Sequence, residues 1–372
     1  MHKLNNNHNV YILGAGFSAE RGLPTIKDFM LAMRDASEWL ESEGRYIEAK
    51  AISEVLKFRL DAASAAYRIK LDLENIEELF SLASAKSITH AKYIQLAIAA
   101  TLDYKLKILK EPTVHFSAQV GNEEIPVHWT HDAPNEAGYA QFSCPAYEFY
   151  LKAMLGDRSI PCRNRNTFIT FNYDLLLENA LRNLSIPYTY GINTQESSLD
   201  NNIEVLKLHG SINWARKSNS NKSYTIFNSY NELLEAGQTP QLLPPTWRKL
   251  FSGPLLQVWD RSLRSLEQAT RIIVIGFSIP PTDHHFKYLI AAGLQNNILL
   301  REIVFVDPEI SHIEERAKNL FSDITRLSSV KFIQYTTSKF MSIGTEYHEQ
   351  SIRYFGRPIP HFYQGLQQRN PN

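Results

Sequence analysis

Cysteine is nearly absent: Cys144 and Cys162 are the two in a chain of 372 residues. That excludes a disulfide framework and any four-cysteine zinc module. An excess of charge is missing too, because 39 Lys and Arg stand against 39 Asp and Glu. A protein that grips nucleic acid leaves a basic footprint, and this balance leaves none. No run of 18 apolar residues occurs, so no membrane-spanning helix is expected. The opening MHKLNNNHNV is polar, without the apolar stretch of a secretory signal. Together these absences point to a reducing, cytoplasmic setting.

What is present is an alternation of short β-rich runs with longer helical patterns, the signature of an α/β fold with a mostly parallel sheet. Six strands are expected: Val10–Leu13, Thr167–Phe171, Glu204–Leu208, Arg271–Ile275, Glu302–Val306 and Val330–Tyr335. The runs RIIVI and EIVFV are almost continuous in Ile, Val and Phe, as in strands covered by helices on both faces. Between the first two strands lie far more residues than one crossover needs. Most of them read as helix; Leu73, Ile76, Leu79 and Phe80, for example, fall on one helical face. The segment 112–145, rich in Pro, His, Asn and Gly, reads as loop or hairpin. The expected architecture is therefore a Rossmann-like six-stranded sheet from 1–34 and 160–345. A helical insertion covers 35–159 and a tail 346–372.

The first strand runs into Gly14-Ala15-Gly16-Phe17-Ser18-Ala19, a G-x-G-x-x-A sequence. Glycine at 14 permits a tight turn, Gly16 allows backbone to approach a pyrophosphate, and Ala19 keeps the next helix close to the sheet. A dinucleotide-binding dehydrogenase would place an acidic residue at the end of a second strand about 20 residues on. Here Asp35, Glu38 and Glu41 lie in a helical stretch instead, so hydride transfer fits poorly.

The other strand ends carry more information. They lead into Asn172-Tyr173-Asp174, His209-Gly210-Ser211, Gly276-Phe277-Ser278 and Asp307-Pro308. Strand C-termini of a parallel sheet share one edge, where ligands bind. Gly14–Ser18, Asn172, Asp174, His209, Ser278 and Asp307 should therefore converge from scattered positions.

The segments GAGFSAERGLPTIKDF, TFNYDLLLE, KLHGSINW, LLPPTWRK and IGFSIPPTDHHF resemble, in order, the motifs of the sirtuin-like (silent-information-regulator-like) proteins, closest to the bacterial sirtuin-like NAD-hydrolysing effectors of antiphage defence. The resemblance spans about 10–34 and 160–310. It implies NAD bound in a Rossmann-like domain, with Asn172 and His209 in catalysis. It also implies an abortive-infection role, with partners such as an Argonaute or a HerA-type ATPase, or none. Unlike the zinc-containing deacetylases, the chain has no cysteine between 210 and 276, and Phe29 is followed by Met30 rather than Arg. An acyl-lysine cleft is therefore not expected.

Cleavage of the nicotinamide–ribose bond passes through an oxocarbenium-like state, as glycoside hydrolysis does. The leaving group departs neutral and needs no acid. Asn172 can hold water or a ribose hydroxyl, and an imidazole such as His209, with an ordinary pKa of about 6.5, can take a proton. Asp174 either orients Asn172, touches the ribose or caps the following helix. Ser18 and Ser278 suit phosphate, and Asp307 suits the adenosine ribose or a strand-exit turn. Arg21 either meets phosphate or stays in water, and Asp283 either caps a helix or supports the site. Gly276, at the turn beside Ser278, completes the cofactor set with Gly14, Ala15 and Gly16. His128, His131 and Asp132 in HWTHD sit in an irregular segment, and no metal is expected. The expected activity is NAD hydrolysis to nicotinamide and ADP-ribose, in a homo-oligomer gated by self-association or a partner. The alternatives are NAD-dependent deacylation or ADP-ribosyl transfer from the same pocket, and a module that binds NAD or ADP-ribose without cleaving it.

Overall fold

A computed structural model describes residues 8–19, 21–119, 126–155, 165–192, 203–217, 223–245, 253–280, 284–320 and 330–334. Its centre is strand β1, His8–Leu13, buried along its whole length. The run VYIL is apolar on both faces because both faces are covered. The sheet's other strands are β2 (Arg165–Thr170), β3 (Tyr188–Thr189), β4 (Ile203–Lys207), β5 (Arg271–Ile275), β6 (Glu302–Asp307) and β7 (Val330–Gln334). Their order is β7-β6-β5-β1-β2-β4-β3, with every pairing parallel. The sheet thus has seven strands, not six. The extra one, β3, is a two-residue edge strand against Ile203 and Glu204, too short to leave a periodicity.

Strand order sets the place of a ligand. From β1 the chain adds β2, then the edge strand β3, then β4 between those two, and returns to the opposite side of β1 with β5, β6 and β7. The reversal falls at β1, and crevices form at such switch points outside the strand C-termini.

Helices α1 (Ala15–Ala19), α2 (Phe29–Ser42), α3 (Tyr46–Arg68), α4 (Ile76–Lys86), α5 (Ile88–Ile108) and α6 (Ala146–Leu155) occupy the long connection from β1 to β2. Leu73 falls just short of α4, which starts one turn later because the Asn75 side chain accepts from the Glu77 amide at 2.9 Å. The buried face is then Ile76, Leu79, Phe80 and Ala83. Met33, Ile52, Leu79 and Ile98 of these helices share one continuous apolar core with Ile12, Ile273 and Val304 of the sheet. The remaining helices are α7 (Leu176–Asn183), α8 (Tyr230–Glu235), α9 (Pro254–Glu267), α10 (His284–Gln295) and α11 (Ile310–Leu320).

The segment read as loop or hairpin is an antiparallel sheet: Thr113–Gln119 and Thr130–His131 flank Tyr139–Pro145. Trp129, Ala140, Phe142, Cys144 and Phe149 form a small second core with it. Burial pushes the Cys144 thiol up to about 12, so it stays protonated. Among the described residues, no helix is long and apolar enough to cross a membrane.

Candidate active site

Asn172 lies two residues beyond β2, where parallel pairing has just ended. Its backbone N–H donates to Thr170 Oγ1 at 3.0 Å, which folds the chain over the sheet edge. Its side-chain amide has one orientation. Nδ2 donates to the Gly14 carbonyl at 2.9 Å, and a carbonyl can only accept, so the nitrogen must face it. The second amide hydrogen goes to Ser18 Oγ at 3.1 Å. Ser18 donates in turn to Asp174 Oδ2 at 3.0 Å. Asp174 Oδ1 takes the Leu176 amide at 2.9 Å, opening α7. Asp174 therefore holds the turn that leads into α7 and ends a three-residue relay, while the N-cap position itself is Leu175. Both Asn172 donors are committed, which leaves its Oδ1 without a hydrogen-bond partner among the described residues.

His209 lies two residues beyond β4 and is buried. Its ring meets the edge of Phe171, with centroids 5.2 Å apart, and lies 6.0 Å from the Tyr173 ring. Asn172 stands between these two aromatics in sequence, and the two strands that lead to Asn172 and His209 are paired neighbours in the sheet. Phe171 also stacks on Phe277 at 4.7 Å and meets Phe286 edge-on at 5.9 Å. This apolar cluster joins the loops after β2, β4 and β5 to α10.

The glycines have a packing reason. A Cβ on Gly14 would lie 2.4 Å from the Gly276 carbonyl oxygen, and one on Gly16 would lie 2.7 Å from Gly276 Cα. Gly276 has φ +59°, and its own Cβ would lie 2.3 Å from the Phe17 nitrogen. Gly16 N–H donates to Gly276 O at 2.8 Å. The side of Gly16 that lacks a Cβ thus faces the β5 loop rather than an open approach to pyrophosphate. Three positions after Gly276, buried Ile279 has φ +46°, an uncommon conformation for a β-branched residue.

Other candidates divide between the site and local structure. Ser18 is buried within the relay, so its hydroxyl is committed to Asn172 and Asp174 rather than presented to a phosphate. Ala15 is exposed at the start of α1. Arg21 donates to the Leu109 carbonyl at the end of α5, and desolvation lowers its pKa. Ser278 is exposed, and its carbonyl accepts from Arg316 at 2.5 Å. Asp307 closes β6, takes the Glu309 amide at 2.9 Å, and is pushed up by burial. Asp283, residues 246–249 of LLPPTWRK and the tail 346–372 lie outside the described residues. His128 bonds Glu148, and His131 bonds the Asp132 carbonyl. Among the described residues no group of three His, Cys, Asp or Glu could hold a metal.

Phe171, Tyr147, Lys207, Glu178 and Tyr190 also support this region, although none of them stands out in the sequence as a site residue. Tyr147 of α6 donates to the Phe17 carbonyl at 2.7 Å, supporting α1 from the helical block. Lys207 sits inside the apolar run VLKL, and a charged residue in a buried strand was the available signal that a partner must exist.

Residues 166–324 match the family model of the SIR2-like domain, a stretch that holds Asn172, Asp174, His209, Gly276, Ser278 and Asp307. No curated protein matches the chain. The solved structures similar to it include a Sir2 homologue–NAD complex at 14% identity and TM-score 0.38, covering 94% of this chain and 92% of that one. A variant Sir2 homologue in complex with ADP-ribose has 15% identity and TM-score 0.41, covering 99% of this chain and 96% of the other. From β2 to α11, then, the chain carries a SIR2-like domain match laid over a parallel sheet, with Asn172 and His209 each two residues beyond the end of a neighbouring strand.

Proposed function

We propose that the chain hydrolyses NAD at the nicotinamide–ribose bond. The observation that carries this reading is the Asn172 amide, whose donors are held by Gly14 and Ser18 while Oδ1 remains to accept from water. The SIR2-like match over the same residues supports NAD as the substrate. In the proposed step the C1′–N bond breaks, and its electron pair leaves with neutral nicotinamide. Water held by Asn172 Oδ1 adds to C1′ of the oxocarbenium ion. His209 takes the proton that this water loses, and passes it to solvent. The products are nicotinamide, ADP-ribose and one proton. Gly14–Gly16 and Ser278 frame the dinucleotide, with Asp307 toward the adenosine ribose.

Unchecked, this activity would drain a cell of NAD. We propose that the protein acts as an antiphage effector in the cytoplasm and is gated by self-association or by a partner such as a HerA-type ATPase or an Argonaute. The small sheet at 112–145 is the proposed place of contact.

The test is nicotinamide and ADP-ribose formation from NAD by the full chain. Asn172→Ala should cut turnover by about 100-fold or more, the scale of a lost positioned catalytic group, with its melting temperature little changed. Wild-type turnover in Asn172→Ala would overturn the assignment. An ADP-ribosyl group found on a nucleophile other than water would convert the reading to group transfer.

A further inference from the structure

Lys207 and Glu178 are each 1% exposed, with Nζ 2.8 Å from Oε1. The hydrolytic step derived above uses neither. Taking two charges out of water is costly, and apolar residues of similar volume often replace such a pair without loss of stability. Stability is therefore a poor account of why the pair is here; its contacts supply a better one.

Lys207 reaches from the last position of β4 to the turn after β2, where Nζ donates to the backbone carbonyl of Asp174. The Asp174 carboxylate is the terminus of the Asn172–Ser18 relay. Glu178, one turn into α7, also accepts from the Tyr190 hydroxyl at 3.2 Å, and Asn213 Nδ2 donates to that hydroxyl at 3.3 Å. Asn213 Nδ2 is held as well by the Phe227 carbonyl at 2.6 Å. A continuous set of polar contacts thus runs behind the rim, and each member fixes the next.

We propose that Lys207 is a positioning residue for the Asn172 site and that Glu178 cancels its charge, an inference that rests on the hydrolytic reading above. Positive charge develops on the ribose as the glycosidic bond breaks. A bare ammonium behind the Asp174 turn would oppose that charge across a medium of low dielectric. Paired with Glu178, Lys207 gives a directed donor with little net field. The pair holds the turn, the turn holds Ser18, and Ser18 holds the Asn172 amide at the angle that presents Oδ1.

The test is a double variant, Lys207→Met with Glu178→Leu, compared with wild type for thermal melting and NAD turnover. Removal of both charges together leaves no buried ion unpaired, so the melting temperature should equal or exceed that of wild type. With the turn released, kcat for nicotinamide release should fall about 100-fold, the scale of a 1 Å misplacement, while KM moves far less. Glu178→Gln alone leaves the Lys207 charge uncancelled and should also lower kcat. A double variant with wild-type kcat would overturn the inference, and so would one that melts far below wild type. If wild type leaves NAD intact across the whole range of association and with the partner added, the hydrolytic reading fails and takes this one with it. An active wild type beside an equally active double variant would sink this inference alone.

Discussion

At the scale of single residues, much of the site's chemistry is set by groups that have nowhere else to bond. Asn172 has one orientation because a carbonyl faces it. His8, at the opposite end of the sheet, shows the same constraint with a measurable consequence. Its imidazole is buried, with Nε2 3.0 Å from Thr167 Oγ1. Desolvation, with the Arg165 charge in second place, holds its pKa down to about 3 against an ordinary 6.5. The folded state therefore refuses a proton that the unfolded state accepts, and stability falls as pH drops from about 6.5 toward 3. Between pH 6.5 and 5 the loss should be roughly 2 kcal/mol. Urea unfolding at the two pH values measures it, and His8→Asn should remove most of the difference. Asn172, Asp174 and His209 were legible in the sequence because each follows a strand at the edge where ligands gather. The commitment of Ser18 was not legible, since a serine in a glycine loop looks the same whether it faces phosphate or a neighbouring side chain.

Among the elements, the long apolar strands were readable and the short polar ones were not. β5 and β6 announce themselves by unbroken Ile, Val and Phe, whereas β3 has two residues. The strand Tyr139–Pro145 buries Ala140, Phe142 and Cys144 in alternation, but two of these three are small side chains set among Pro, His, Asn and Gly, so the run did not stand out. What ties this small sheet to the rest is Glu148 of α6, whose side chain is 0% exposed. It accepts from Trp129 Nε1 at 2.7 Å and Asn183 Nδ2 at 2.8 Å, and lies 2.5 Å from His128 Nε2. One carboxylate thus joins a loop, α6 and the end of α7. Glu148→Leu should cost about 2–3 kcal/mol, because buried donors lose their acceptor. Chemical unfolding followed by tryptophan fluorescence would register it, and an unchanged midpoint would show that the tie is dispensable. The helical block was legible as helix, but not as part of the same core as the sheet, because periodicity reports which face is apolar and not what it meets.

For the whole molecule, gating is the proposal with the broadest reach, and concentration tests it. Turnover per subunit should rise over the range where sedimentation detects association, or on addition of the partner. A constant rate per subunit from fully dissociated to fully associated protein would remove the need for a gate.

The central strand has a further consequence during synthesis. His8 N donates to Thr270 Oγ1 across 262 residues, and Gly14 and Gly16 pack closely against Gly276 and, for Gly14, Phe277. At roughly 5–20 residues per second, a ribosome takes about 13–50 s to supply the second half of that pairing. Until then the glycine turn has no wall and the Asn172 amide lacks its settled neighbour. The C-terminal edge of β1 is consequently completed late, once the chain that forms β5 has left the ribosome.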